Sequence, residues 1–153
     1  MQASRYLRSP ARMKFCAWCP DIMRDIRVDD LTSSATRDLL AIHLSAMHAN
    51  SPPGTSFALD LSGLQQPCIT VWALWEGEAV LAVGALKALP DGTGELKSMR
   101  THPDHIRKGA ARALLEHIIG EAHARGMTRL SLETGTGPVF EAALQLYQRR
   151  GFI

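Results

Sequence analysis

Cysteine is scarce in this chain, and its odd count of three, at positions 16, 19 and 68, excludes a fully paired disulfide framework. Cys16 and Cys19 form a C-x-x-C around Trp18, which suits half a zinc site or a redox pair, but no second half follows, so no metal is expected. No apolar run approaches the ~20 residues of a membrane-spanning helix, and no secretory apolar segment is present. The expected compartment is therefore a reducing cytoplasm, with free thiols and no membrane partner. Aromatic residues make up 6%, the net charge is +2, and there is neither a recognition helix nor an aromatic-basic platform, which argues against nucleic acid as a partner. A Gly-x-Ser-x-Gly elbow is missing and Cys68 has no evident partner, which disfavours an acyl hydrolase.

What the chain does hold is enough for one core: 153 residues, 46% hydrophobic and 21% charged. Residues 1–21 read as a basic N-terminal extension, with Arg5, Arg8, Arg12 and Lys14, breaks at Pro10 and Pro20, and no sustained periodicity. Residues 22–153 read as the folded domain, with Met13 and Met23 as alternative starts. Ile26 and Val28 suggest a first strand that Asp29 and Asp30 close, and Leu39, Leu40, Ile42, Leu44 and Met47 give residues 36–48 helical spacing. Residues 50–54 break the helix, and residues 55–67 suit a short helix or an extended lid. Three β-rich runs follow at 69–75, 79–89 and 95–101, joined by turn-forming residues, which predicts an antiparallel meander. A helix, a strand at 129–134 and a last helix at 139–150 complete an α/β sheet of mixed direction.

The stretch at 101–115 is the most telling. A strand-like run meets Pro103, then Arg107, Lys108 and Gly109, then a helix in which Leu114, Leu115, Ile118, Ile119 and Ala122 recur on one side until Gly126 stops it. Charge pairs are expected on its wet side, Arg112 with Glu116 and Glu121 with Arg125. The first amides of a helix lack partners within it, and the helix dipole favours negative charge there. Gly109 would let a phosphate approach the main chain, and Arg107, Lys108 and Arg112 add cationic groups; an ordinary surface turn is the alternative.

In element order over residues 23–152 the chain resembles the GNAT superfamily of N-acetyltransferases, in particular small bacterial-type members. Gly109 and Ala111 match the last two fixed positions of that family's R/Q-x-x-G-x-G/A diphosphate motif, with Ile106 where Arg or Gln is usual. Ala143, Leu146, Tyr147, Gly151 and Phe152 match its closing A-x-x-L-Y-x-x-x-G-F signature, and Leu132 to Gly135 add to the likeness. The resemblance implies an acyl-CoA N-acyltransferase fold, a mixed and mostly antiparallel central sheet flanked by helices. It also implies transfer of an acetyl group from acetyl-CoA to a primary amine of a small molecule or peptide, by direct attack on the thioester. Members usually continue past the Gly-Phe pair with one or two strands; the sequence ends at Ile153, so the fold is expected to be C-terminally incomplete, with an open edge that association into a homodimer would cover.

By the same resemblance, Met99, Arg100 and Thr101 would lie beside the thioester, and Arg107, Lys108, Gly109, Ala110, Ala111 and Arg112 would hold the diphosphate. Tyr147 would protonate the leaving thiolate, or else pack its helix against the sheet. Glu95, and less readily Glu133, are candidate bases; Glu95 follows a hairpin glycine and also suits a solvated strand end. Arg100 could orient substrate. A non-catalytic acyl-CoA-binding regulatory module, truncated relative to active members, is the alternative to an enzyme.

Overall fold

Residues 69–88 are apolar at nearly every position outside one turn, so both faces of the strands they form must be covered. A computed structural model describes residues 23–54 and 58–153, and they arrange in that way. The extension at 1–21, with Cys16 and Cys19, and Phe57 of the ambiguous segment lie outside the described residues. Strands β1 (Arg24–Val28), β2 (Ile69–Glu76), β3 (Ala79–Ala88), β4 (Gly94–Thr101) and β5 (Leu130–Leu132) form a five-stranded sheet in chain order. Neighbours are antiparallel from β1 to β4, and β5 runs parallel to β4. The expected mixed, mostly antiparallel sheet is thus observed.

The pleat sends alternate residues to opposite sides. Val71, Ala73, Val83 and Ala85 pack beneath helix α1 (Ser34–Ala49) through Leu39 and Leu40. Trp72, Leu74, Leu86 and Leu96 pack on the other side against Leu114, Leu115 and Ile118 of α3 (Ala110–Ala124) and Tyr147 of α4 (Glu141–Arg149). The ambiguous segment contains one helical turn, α2 (Leu61–Leu64), opened by the Asp60 carboxylate, which accepts from the Gly63 amide at 2.8 Å. Asp29 does more than end a strand. Its two carboxylate oxygens accept from the Leu31 amide and the buried Thr36 hydroxyl, each at 2.8 Å, and so fix the corner into α1, where Leu31 sits at φ 64.

Several expectations need correction. The strand predicted at 129–134 pairs only over Leu130–Leu132, because residues 133–136 leave the sheet to line a cavity. The last helix begins at Glu141 after a short 3-10 turn over Pro138–Phe140. Glu116 pairs with Arg150 at 2.5 Å instead of Arg112 and so ties the end of α4 to α3, whereas Glu121 and Arg125 do pair, at 3.5 Å.

The feature that shapes everything near the cavity is a β-bulge. Val83 faces Arg100 and Ala85 faces Lys97, so the single residue Gly84 stands opposite both Ser98 and Met99. Ser98 absorbs the extra residue with φ 54. Without the bulge, Arg100 would fall on the opposite side from Glu95 and Lys97; with it, all three share the α1 side, since their partners Lys87, Ala85 and Val83 alternate regularly. Met99 turns the other way, and a Cβ placed on Gly84 would collide with its sulfur and reach Ile118 Cδ1 at 3.0 Å. Gly84→Ala should therefore destabilise the protein by about 1–3 kcal/mol. Urea unfolding should also show that Met99→Ala, combined with it, recovers part of that loss.

Candidate functional site

Two parallel strands that stop pairing must leave either a filled core or a cleft. β4 and β5 pair only from Gly94 with Leu130 to Leu96 with Leu132. Beyond that point β4 runs on to Thr101 with no strand on that side among the described residues, and a cavity of about 770 Å³ opens between the two. Its walls are Leu96 to Arg100 of β4, Leu132 to Thr136 after the pairing ends, His43, Met47 and Asn50 of the α1 end, and Phe140, Ala143 and Tyr147 of the α4 side. The volume is that of a small-molecule site. The cavity passes from the α1 side of the sheet to the α3 and α4 side through the gap.

The strand then leads through a short 3-10 turn at Pro103–His105 into the glycine turn and α3. Among the described residues, the backbone amides of 107–112 donate no backbone hydrogen bond, while Ala113 is the first to bond back, to the Gly109 carbonyl at 3.0 Å. Gly109 is at φ 75 and a Cβ there would meet nothing within 4 Å, so these amides border open space. Arg107, at φ 61, Lys108 and Arg112 are exposed around them. Arg24 of β1 donates from Nη1 to the Lys108 carbonyl at 2.8 Å and adds a cation that sequence patterning did not reveal.

The predicted site residues divide. Met99, Arg100, Glu133 and Tyr147 line the cavity; Thr101, Arg107, Lys108, Gly109, Ala110, Ala111 and Arg112 do not, and form the end of β4 and the turn beyond it. Glu95 does not line it either. Its carboxylate pairs with Lys97 at 2.9 Å, both side chains being mostly covered, so it is neither a solvated strand end nor a group facing the cavity. Tyr147 is 9% exposed and stands edge-on to Phe152 at 5.9 Å; burial pushes its hydroxyl up to about 12, so it keeps its proton at neutral pH.

Sequence reading missed His43. It occupies a place in the apolar stripe between Leu40 and Met47, and an ionisable residue at such a position is the signal that could have found it. The imidazole is 8% exposed; burial, and secondarily the positive charge of Arg100, lower it to about 4, so it is neutral at physiological pH. Buried side-chain polar atoms without a hydrogen-bond partner among the described residues are His43 Nδ1, Trp75 Nε1, Ser98 Oγ and Arg100 Nε. All but Trp75 belong to residues that line the cavity. Three of the four thus gather around one cavity, where their hydrogen-bonding capacity is open to a polar ligand or to water.

Comparison with known proteins fits this geometry. The profile described as the Acetyltransferase (GNAT) family matches residues 31–152. The chain belongs to the GNAT family, and it is an acetyltransferase. It is 50% identical over 130 residues to the uncharacterized N-acetyltransferase YedL of Escherichia coli K12, covering 85% of this chain and 82% of that one. It is 49% identical over 127 residues to the uncharacterized N-acetyltransferase YsnE of Bacillus subtilis 168, covering 83% and 84%. A Clostridium acetobutylicum protein solved with acetyl-CoA shares the GNAT fold at a TM-score of 0.61 and 17% identity, over 86% of this chain and 90% of that one.

The neutral state of His43 gives a pH signature. The unfolded chain binds this proton near 6.5 and the folded chain only near 4, so the stability it confers is complete above 6.5 and is lost as pH falls from 6.5 to 4. The loss should be on the order of 3 kcal/mol. Melting temperature against pH should show it, and His43→Gln should flatten the curve over that window.

Proposed function

We propose that this enzyme transfers acetyl from acetyl-CoA to a primary amine by direct attack of the free amine on the thioester. The parting of β4 from β5 beside a turn of unbonded amides is the observation that carries the reading. The residues present suit the coenzyme. The open amides of 107–112, with Arg107, Lys108, Arg112 and Arg24 around them, offer a cradle for a diphosphate, where donors that need no reorganisation bind anions well. The free edge of β4 at residues 97–101 offers backbone N–H and C=O groups to an extended amide-bearing arm in the manner of an added strand. Acetyl-CoA supplies an acetyl group activated as a thioester.

The chain's own residues have three tasks. An ammonium must lose a proton before attack, and Glu133, which faces the cavity, suits that task better than the ion-paired Glu95. Backbone amides of β4 near Met99 stabilise charge that grows on the acetyl oxygen as the nitrogen–carbon bond forms. Tyr147 assists the sulfur as the carbon–sulfur bond breaks. A hydroxyl held at about 12 lies above the ~8.5 of an ordinary thiol, so complete transfer of its proton runs uphill; Tyr147 acts chiefly as a hydrogen-bond donor to the departing sulfur.

Calorimetric titration with acetyl-CoA, followed by a free-thiol assay over small amines, amino acids and peptide N-termini, tests the reading. Coenzyme binding with amine-dependent thiol release is the expected outcome, and binding without release on any acceptor would sink the enzymatic account. Gly109→Leu should weaken coenzyme binding at least about 100-fold, because the residue must hold φ 75 and the new side chain would occupy the open face. Tyr147→Phe should lower kcat by about 100-fold or more while sparing affinity.

A further inference from the structure

We propose that the acceptor of this acetyltransferase is a small amino acid-like molecule whose carboxylate is held by Arg100, an inference that rests on the acetyl-transfer reading and narrows its substrate. Arg100 lines the cavity, and its Nε is buried with no hydrogen-bond partner. Among the described residues no carboxylate forms an ion pair with it, since Glu95, on the same side of the sheet, is taken by Lys97 at 2.9 Å. Proteins rarely leave a covered cation unpaired, because the desolvation is offset only by a counter-charge. A guanidinium with a free Nε keeps the edge that binds a carboxylate through two parallel hydrogen bonds.

Position separates this side chain from the diphosphate turn. The bulge at Ser98 and Met99 sets Arg100 on the α1 side of the sheet, opposite Val83, whereas the glycine turn opens α3 on the other side. The carboxylate would therefore enter with the acceptor. His43 Nδ1, also buried and unpartnered among the described residues, adds a neutral hydrogen-bonding atom from α1, where a neutral imidazole brings no second positive charge, and Ser98 Oγ lines the same cavity. A peptide N-terminus carries an amide where a free amino acid carries its carboxylate, so the cavity distinguishes the two acceptor classes.

The test compares the twenty common L-amino acids with their carboxamides in the thiol-release assay, for the wild type and for Arg100→Gln and Arg100→Lys. At least one acid should exceed its amide in kcat/KM by about 10- to 100-fold. R100Q should level the two and R100K should keep part of the preference, while acetyl-CoA affinity by calorimetry should fall by far less than the acid preference in both variants. A second measurement does not need turnover: N-acetyl amino acids and their amides are titrated into the full chain saturated with coenzyme A. Preference for the acids here without thiol release from any amine would uphold the carboxylate site and overturn the acetyl-transfer reading. Amides bound and used as well as acids would overturn the inference, as would an R100Q variant whose main defect is lost coenzyme binding.

Discussion

The parting of two parallel strands after only three paired residues is the constraint on which this fold turns. A sheet gains from every ladder bond it completes, yet among the described residues β4 continues to Thr101 with one edge unpaired, and β5 gives way to a chain that lines the gap. The rest of the molecule makes that gap tolerable. Buried strands β2 and β3 and two separate apolar clusters, one on each side of the sheet, keep the scaffold rigid up to the point of divergence. The bulge at Ser98 and Met99 then decides which side chains face each mouth of the opening.

Much of this was legible in sequence, because apolar runs, turn residues and helical periodicity are local signals. The β-rich runs of β2 to β4 with turn residues between them and the apolar stripe of α3 indicate the element order, and the Lys108 to Ala111 turn and the Ala143 to Phe152 signature point to the GNAT family. Less legible was anything that depends on register. A bulge leaves no compositional trace beyond a glycine on the partner strand, so the facing of Arg100 could not be read from alternation alone. Glu95 illustrates the same point: its place at the start of a strand suggested a solvated or catalytic carboxylate, and only the shared side with Lys97 reveals an ion pair. His43 was hidden for a different reason, since a histidine within an apolar helical stripe reads as packing until its neighbours are known.

The two mouths of the cavity differ in character. On the α3 and α4 side stands a tyrosine that holds its proton, and the cationic turn with open amides lies past the end of β4, outside the cavity's lining. On the α1 side stand Arg100 and the imidazole of His43, whose Nε and Nδ1 are buried without a partner among the described residues. A polar ligand with complementary groups would engage these atoms, and one that lacks them would not.

The bond from Arg24 to the Lys108 carbonyl spans 84 positions of sequence and joins an edge strand to the glycine turn. Edge strands are where sheets fray first, by local opening that leaves the core intact. Here such fraying would withdraw a support from the main chain beside Gly109, and a bound anion that steadies this loop would in turn slow amide exchange along β1. The outermost strand of the sheet thus reports, at a distance, on whether the turn is occupied.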